Sequence, residues 1–289
     1  MIIVITGPTG VGKTKMSIEL AKRINAEIIN GDSMQVYKEL DIATAKIKEE
    51  EKENIPHHLF DIVDKNYDYS VYDYQRDCRE KINEIESRGK NIIIVGGTGL
   101  YIKAALYNYN FNKEEKTYDF SSMTDSEILD KIRETDPNTN IHVNNRKRLE
   151  RELTKIMNDT TSDGKGNEIL YPFTIIGLTT ERCELYERIN SRVDKMVEEG
   201  LLDEAKALYK DNIHSKAINT GIGYKELYKY FDGEISLDEA LDLIKKNSRH
   251  YAKRQYTFFN NQFNMNWFNV DYDNFSNTID EVYNFIKEW

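Results

Sequence analysis

Met1-Ile-Ile-Val-Ile-Thr-Gly7-Pro-Thr-Gly-Val-Gly12-Lys13-Thr14 is the stretch that decides the fold. Its β-branched, apolar run before Thr6 reads as a strand buried on both faces of a parallel sheet. The run opens directly into the pattern G-x-x-x-x-G-K-T. In such a loop the glycines let successive backbone N–H groups turn toward one anion, and Lys13 adds a point charge. The Thr14 hydroxyl is placed to hold Mg²⁺, and the next helix offers its positive N-terminus. Met16, Ile18, Leu20, Ala21 and Ile24 follow at helical spacing, so strand, loop and helix are in register. By motif alone the loop reads as nucleotide-binding, for instance ATP-binding, but it does not say which phosphate it holds.

Working outward, Ala26–Asn30 reads as a second strand, followed at once by Gly31-Asp-Ser-Met-Gln-Val-Tyr37. An Asp just beyond the carboxyl end of a strand in a parallel sheet lies where ligands bind, although Asp-Ser also makes a good helix N-cap. Residues 38–56 are polar, and Pro56–Val63 reads as another short strand or an edge segment. His57 and His58 point to opposite sides of a strand and lack a third ligand, so structural roles are expected. A helix over Tyr69–Arg88 is closed by Gly89. Asn91–Val95 is another buried strand, and a nucleotide hydrolase would end it in a magnesium-binding Asp. Here it ends in Gly96-Gly-Thr-Gly-Leu-Tyr101, a turn that brings backbone and a hydroxyl close to a ligand or simply starts a helix.

Beyond residue 107 the character changes. Residues 108–140 read as a small insertion with one amphipathic helix near Ser126–Glu134. A basic helix over 144–157 and a turn-rich loop over 159–166 follow. Tyr171–Leu178 supplies a further central strand. After Glu181 the chain is mostly helical, with a glycine-flexed turn over Ile218–Lys225, a long helix over Leu237–Phe259, a last strand at Trp267–Val270 and a closing helix over Ile279–Trp289. The expected fold is α/β: a P-loop-type parallel sheet flanked by helices, with a small mostly helical insertion and a helical C-terminal part. The expected divisions are 1–107, 108–140 and 141–289.

Hydrophobic residues make up 39% and charged residues 31% of the 289, as in a soluble globular chain, and no run approaches the length of a membrane span. With no basic leader before the first strand, a cytoplasmic location and no membrane association are expected. Cys78 and Cys183 are far apart and outside any C-x-x-C pattern, so reduced thiols are expected rather than a disulfide or zinc site. The net charge of −10 speaks superficially against a nucleic-acid partner. Its distribution speaks the other way. Lys245–Arg254 carries five basic residues and no acid, and Arg146–Arg151 four against one. Each could be a solvated helix face, but two such runs beside a phosphate loop make a polyanionic partner plausible.

Taken together, the motifs resemble those of the tRNA dimethylallyltransferases, also called tRNA isopentenyltransferases, over nearly the whole chain. The matching elements are Gly7–Thr14, Asp32-Ser-Met-Gln-Val-Tyr37, Thr44-Ala-Lys46, Pro56-His-His-Leu59, Tyr69-Ser-Val71, Gly96–Tyr101 and Ile141-His142. Further on they are Arg188-Ile-Asn-Ser-Arg-Val193, Gly200–Glu204, Ile222-Gly-Tyr-Lys225 and Tyr251-Ala-Lys-Arg-Gln255.

The resemblance implies transfer of a dimethylallyl group from dimethylallyl diphosphate to N6 of the adenosine 3′ of the anticodon, tRNA position 37. Gly7, Pro8, Thr9, Gly10, Val11, Gly12, Lys13 and Thr14 would then hold the donor's diphosphate, with Mg²⁺ on Thr14. Asp32 is the candidate base for the amine proton, while Arg192 and Thr98 are expected at the leaving group. The expected partner is the anticodon stem-loop of tRNA, with Asp32, Ser33, Met34, Gln35 and Thr98 toward the base. Lys147, Arg148, Arg151, Thr220, Tyr224, Lys225, Lys253 and Arg254 are expected along the RNA, and a monomer is the expected state. The departures, Tyr118-Asp-Phe-Ser, Ile141–Asn145 and Arg151–Thr154, fall where the RNA would be gripped. Two rivals remain: a P-loop small-molecule or nucleoside kinase, which would turn over ATP, and a tRNA-binding module without catalysis.

Overall fold

The order in which strands and helices alternate sets the topology. The computed structural model describes residues 1–111, 118–158 and 166–288. All but the last residue of the loop expected over 159–166 lies outside them. The strands are β1 (Ile2–Thr6), β2 (Ala26–Asn30), β3 (His57–His58), β4 (Asn91–Val95), β5 (Phe173–Thr179) and β6 (Asn266–Asn269). They form one sheet in the order β3-β2-β4-β1-β5-β6, with every pairing parallel. Parallel strands need crossovers that cover both faces, which is why β1 and β2 are buried at every residue. The edge segment expected at 56–63 reduces to the two-residue β3, which lies at the sheet edge as expected.

The crossovers are α1 (Lys13–Ile24), α2 (Val71–Ser87) and α3 (Gly99–Leu106). Ser70 caps α2 by accepting the Asp73 N–H while the Asp73 carboxylate accepts the Ser70 N–H, a reciprocal capping box. The Gly-Gly-Thr-Gly turn therefore does start a helix. After α4 (Asp125–Thr135), α5 (Arg146–Met157) and β5 come α6 (Arg182–Glu198), α7 (Leu201–Lys210), α8 (Lys216–Thr220), α9 (Tyr224–Phe231), α10 (Leu237–Gln262) and α11 (Phe275–Lys287). The expected turn over Ile218–Lys225 is corrected in part. Ser215 caps a short helix through Thr220, and only Gly221 to Gly223 separate it from α9. Ile3, Ile5, Met16 and Leu20 pack with Ile279 and Val282 of α11 on one face of the sheet.

The chain divides into two compact units, residues 1–106 with 170–288, and residues 107–169. The second unit is longer than the insertion expected at 108–140, because α5 belongs to it. Its reason is packing: Ile128, Leu129 and Ile132 of α4 share a core with Leu149 and Leu153 of α5, closed by Phe120 and Ile141. Cys78 and Cys183 are free. Among the described residues no helix is long and apolar enough to cross a membrane.

Candidate active site

Three loops leave the carboxyl ends of neighbouring strands β2, β4 and β1, and the backbone draws them together. Gly31 N–H donates to Val95 O at 2.8 Å, Thr98 N–H to Gly31 O at 3.1 Å and Gly96 N–H to Ile5 O at 3.2 Å. This is the crevice position where open parallel sheets take ligands.

In the phosphate loop, Gly12 caps α1 at φ 102°, a left-handed conformation that glycine adopts without strain. The Val11 side chain belongs to the core, so only its backbone is available to a ligand. Lys13 Nζ folds back on its own loop, donating to Gly7 O at 3.0 Å and Pro8 O at 2.9 Å. Burial and then the Arg192 charge push Lys13 down to about 7, against the pull of Asp32. Burial likewise lowers Arg192, and Asp32 opposes the shift. Arg192 donates to Thr9 Oγ1 at 2.7 Å. Two cations held in mutual repulsion around backbone N–H groups form a site that an anion relieves. Arg188, one helical turn before Arg192, adds a third, with its Nε 3.3 Å from Gly10 O and its guanidinium 3.6 Å above the Tyr272 ring.

The helix N-cap reading of Asp32 is corrected, because no helix starts at this turn. The Asp32 carboxylate Oδ1 accepts the Met34 N–H at 2.8 Å in a local turn, and its own N–H donates to Asn30 Oδ1 at 2.9 Å. It also faces solvent-accessible space. Two cavities of about 250 and about 350 Å³ meet along Thr9, Asp32, Thr44, Arg192 and Tyr251. The larger contains the phosphate loop, with Lys13, Thr14, Arg188 and Lys46 in its wall. The smaller has Ser33, Met34, Thr220, Lys225 and Arg254 at its edges and an apolar side of Ile189, Val193, Met196 and Ile244. A carboxylate therefore sits between an anion cradle and a half-apolar, half-cationic chamber. Such a site can hold a charged leaving group on one side, hold a flat polar acceptor on the other, and remove a proton where they meet.

Several expected residues take other places. Tyr224 is fully buried and donates its hydroxyl to Glu204 Oε1 at 2.7 Å, so it is a core residue and not a surface contact for RNA. The Gln35 amide donates to Thr44 O at 2.9 Å and Ala45 O at 3.3 Å, holding the loop that lines both cavities. The Thr98 hydroxyl accepts the Ser33 N–H at 3.0 Å and donates to Ser33 Oγ at 3.2 Å, which makes it a brace for the Asp32 turn. Arg146, inside the second unit, is paired with Asp125 at 3.0 Å and Glu150 at 2.5 Å, whereas Lys147, Arg148 and Arg151 are exposed on the same helix. Lys253 is exposed on α10.

Other residues escaped sequence reasoning. Glu204 accepts the N–H groups of Asp41 at 3.0 Å, Ile42 at 2.8 Å and Ala43 at 3.1 Å, anchoring the loop before Thr44. Its only sequence signal was membership of Gly200–Glu204. Gln255 and Tyr251 lay in a quoted motif, yet no spacing rule points an amide at a phosphate loop some 250 residues away. Their positions come from α10 crossing the crevice.

Comparison with known proteins adds an independent line. A family model described as IPP transferase matches residues 35–262. The chain is 48% identical over 285 residues to a tRNA dimethylallyltransferase of Bacillus licheniformis, covering 93% of this chain and 90% of that protein. It is 46% identical over 299 residues to one of Anoxybacillus flavithermus, covering 99% and 96%. Among solved structures, the full-length tRNA isopentenylpyrophosphate transferase of Bacillus halodurans superposes with a TM-score of 0.77 at 45% identity, over 99% of this chain and 95% of that one. A eukaryotic dimethylallyltransferase described as acting on tRNA superposes at 0.76 with 30% identity, over 92% and 73%.

Proposed function

The chain belongs to the IPP transferase family, and from that premise we propose that it transfers a dimethylallyl group from dimethylallyl diphosphate to N6 of the adenosine at tRNA position 37, next to the anticodon. The observation that carries this reading is the position of Asp32, where the phosphate-loop cavity meets the chamber edged by Lys225 and Arg254.

In the reaction the allylic C1–O bond breaks and a C1–N6 bond forms. The proton lost from N6 goes to the Asp32 carboxylate, because an exocyclic adenine amine is too weak a nucleophile without a base. Diphosphate leaves with its charge met by Lys13, Arg192 and Arg188, and by the loop N–H groups. Mg²⁺ supplies charge neutralisation on that leaving group. Thr14, in the wall of the phosphate cavity, would hold the ion through its hydroxyl. The adenine is drawn from its loop into the smaller cavity, beside Ser33 and Met34. Thr220, Lys225 and Arg254 steady its neighbours, while Lys253 and, in the second unit, Lys147, Arg148 and Arg151 take backbone phosphates.

The kinase reading is disfavoured by β4, which runs into Gly96 where a magnesium-binding Asp would stand. The test is incubation with Mg²⁺, unmodified tRNA and labelled dimethylallyl diphosphate. Label in tRNA at position 37 is expected; ATP hydrolysis without labelled tRNA would overturn the assignment.

A further inference from the structure

Helix α10 meets the site through several side chains. Tyr251 stands where the cavities join and Arg254 edges the smaller one, whereas Gln255 is only 4% exposed. Gln255 Oε1 accepts the Thr9 N–H at 3.1 Å, and its Nε2 donates to Gly97 O at 3.1 Å. One amide thus joins the phosphate loop to the turn after β4, and both to the helix. Room for it exists because residue 97 is glycine: a Cβ there would lie 1.9 Å from Gln255 Nε2. Thr9 passes the restraint onward, since its hydroxyl accepts from Arg192.

Only a primary amide answers a backbone N–H and a backbone C=O at these positions. A carboxylate cannot donate to Gly97, and a hydrocarbon leaves both backbone groups unpaired. We propose that Gln255 is a positioning residue that fixes Thr9 and, through it, Arg192, and so sets the affinity for the diphosphate of the prenyl donor. Affinity for tRNA is left to the charged residues of the same helix. The inference rests on the transferase reading for the identity of the donor, and on geometry alone for the diphosphate.

Gln255→Met and Gly97→Ala attack the amide from opposite sides. In each, titration with inorganic diphosphate should show Kd raised about tenfold, the scale of one lost hydrogen bond. The KM for dimethylallyl diphosphate should rise in parallel, with the KM for tRNA within about twofold. Combined with Thr9→Val, Gln255→Met should weaken diphosphate binding by less than the product of the single effects, since both act through one series of hydrogen bonds. A purely structural role predicts the full product and equal loss for both substrates, and that result overturns the proposal, as does unchanged or tighter diphosphate binding in either folded variant. If Gln255→Met does not fold, Gly97→Ala decides. If the wild type binds diphosphate but labels no tRNA, the transferase reading fails while the Gln255 assignment is still judged by titration.

Discussion

Asp32 caps its own turn and borders both cavities, so its substitution tests chemistry separately from shape. Asp32→Asn keeps an oxygen for the Met34 N–H and loses the base. The expected outcome is a kcat lower by about 10²–10⁴-fold, the range for a lost general base, with tRNA affinity within a few-fold in a filter-binding assay. Near wild-type turnover would remove Asp32 from the mechanism. Lys13 makes a second, pH-dependent prediction. Burial and then the Arg192 charge hold Lys13 down to about 7, and a bound diphosphate raises it. Below about pH 7 the ammonium is charged with or without ligand, and its contribution to binding is full. As pH rises past 7 the free protein must take up a proton to bind, so affinity falls, by up to about tenfold per pH unit, until the raised value in the complex is passed. Calorimetry at pH 8 in two buffers of different ionisation enthalpy should register this proton uptake, and Lys13→Met should abolish it.

At the scale of elements, the loop carrying Thr44 has no regular structure of its own and is held from outside by α7. Glu204 collects three consecutive N–H groups of that loop and the Tyr224 hydroxyl. Glu204→Ala orphans them together and is expected to cost about 1–3 kcal/mol in urea unfolding. It should also lower kcat/KM for both substrates, because Thr44 borders both cavities. Glu204→Gln keeps one acceptor oxygen and turns an amide nitrogen toward the donors on the other side, so it should recover only part of the stability. A stable Glu204→Ala protein with normal kinetics would show that the loop is held by other interactions.

For the whole molecule, the net charge of −10 and an RNA substrate are compatible because the cations are gathered. Lys147, Arg148 and Arg151 share an exposed helix surface in the second unit, whose own apolar core lets it bear charge reversal without unfolding. Lys147→Glu with Arg151→Glu should raise the KM for tRNA and leave the KM for dimethylallyl diphosphate unchanged. It should also lower the slope of log Kd against log salt by about 1 for each RNA phosphate that is no longer neutralised. A slope equal to that of the wild type would place the RNA elsewhere.

What the sequence determined by itself is local. Continuous apolar runs marked β1, β2 and β4, and helical spacing marked α2, nearly to the residue; α10 was read three residues short, and G-x-x-x-x-G-K-T marked the anion site, because backbone geometry and a glycine's freedom act over a few residues. The motif order also carried the family. Only the tertiary structure decided which of those residues share a site. Asp32, Thr9, Arg192 and Tyr251 meet because parallel crossovers bring the loops after separate strands to the carboxyl end of the sheet and lay α10 across them. Local periodicity does not encode that long-range pairing. The same burial turned Tyr224 inward to Glu204, set Gln35 and Thr98 to bracing loops, and placed Gln255 against Thr9. A side chain's polarity tells what it can bond to, but its partner is chosen by whatever backbone the fold leaves unpaired within reach.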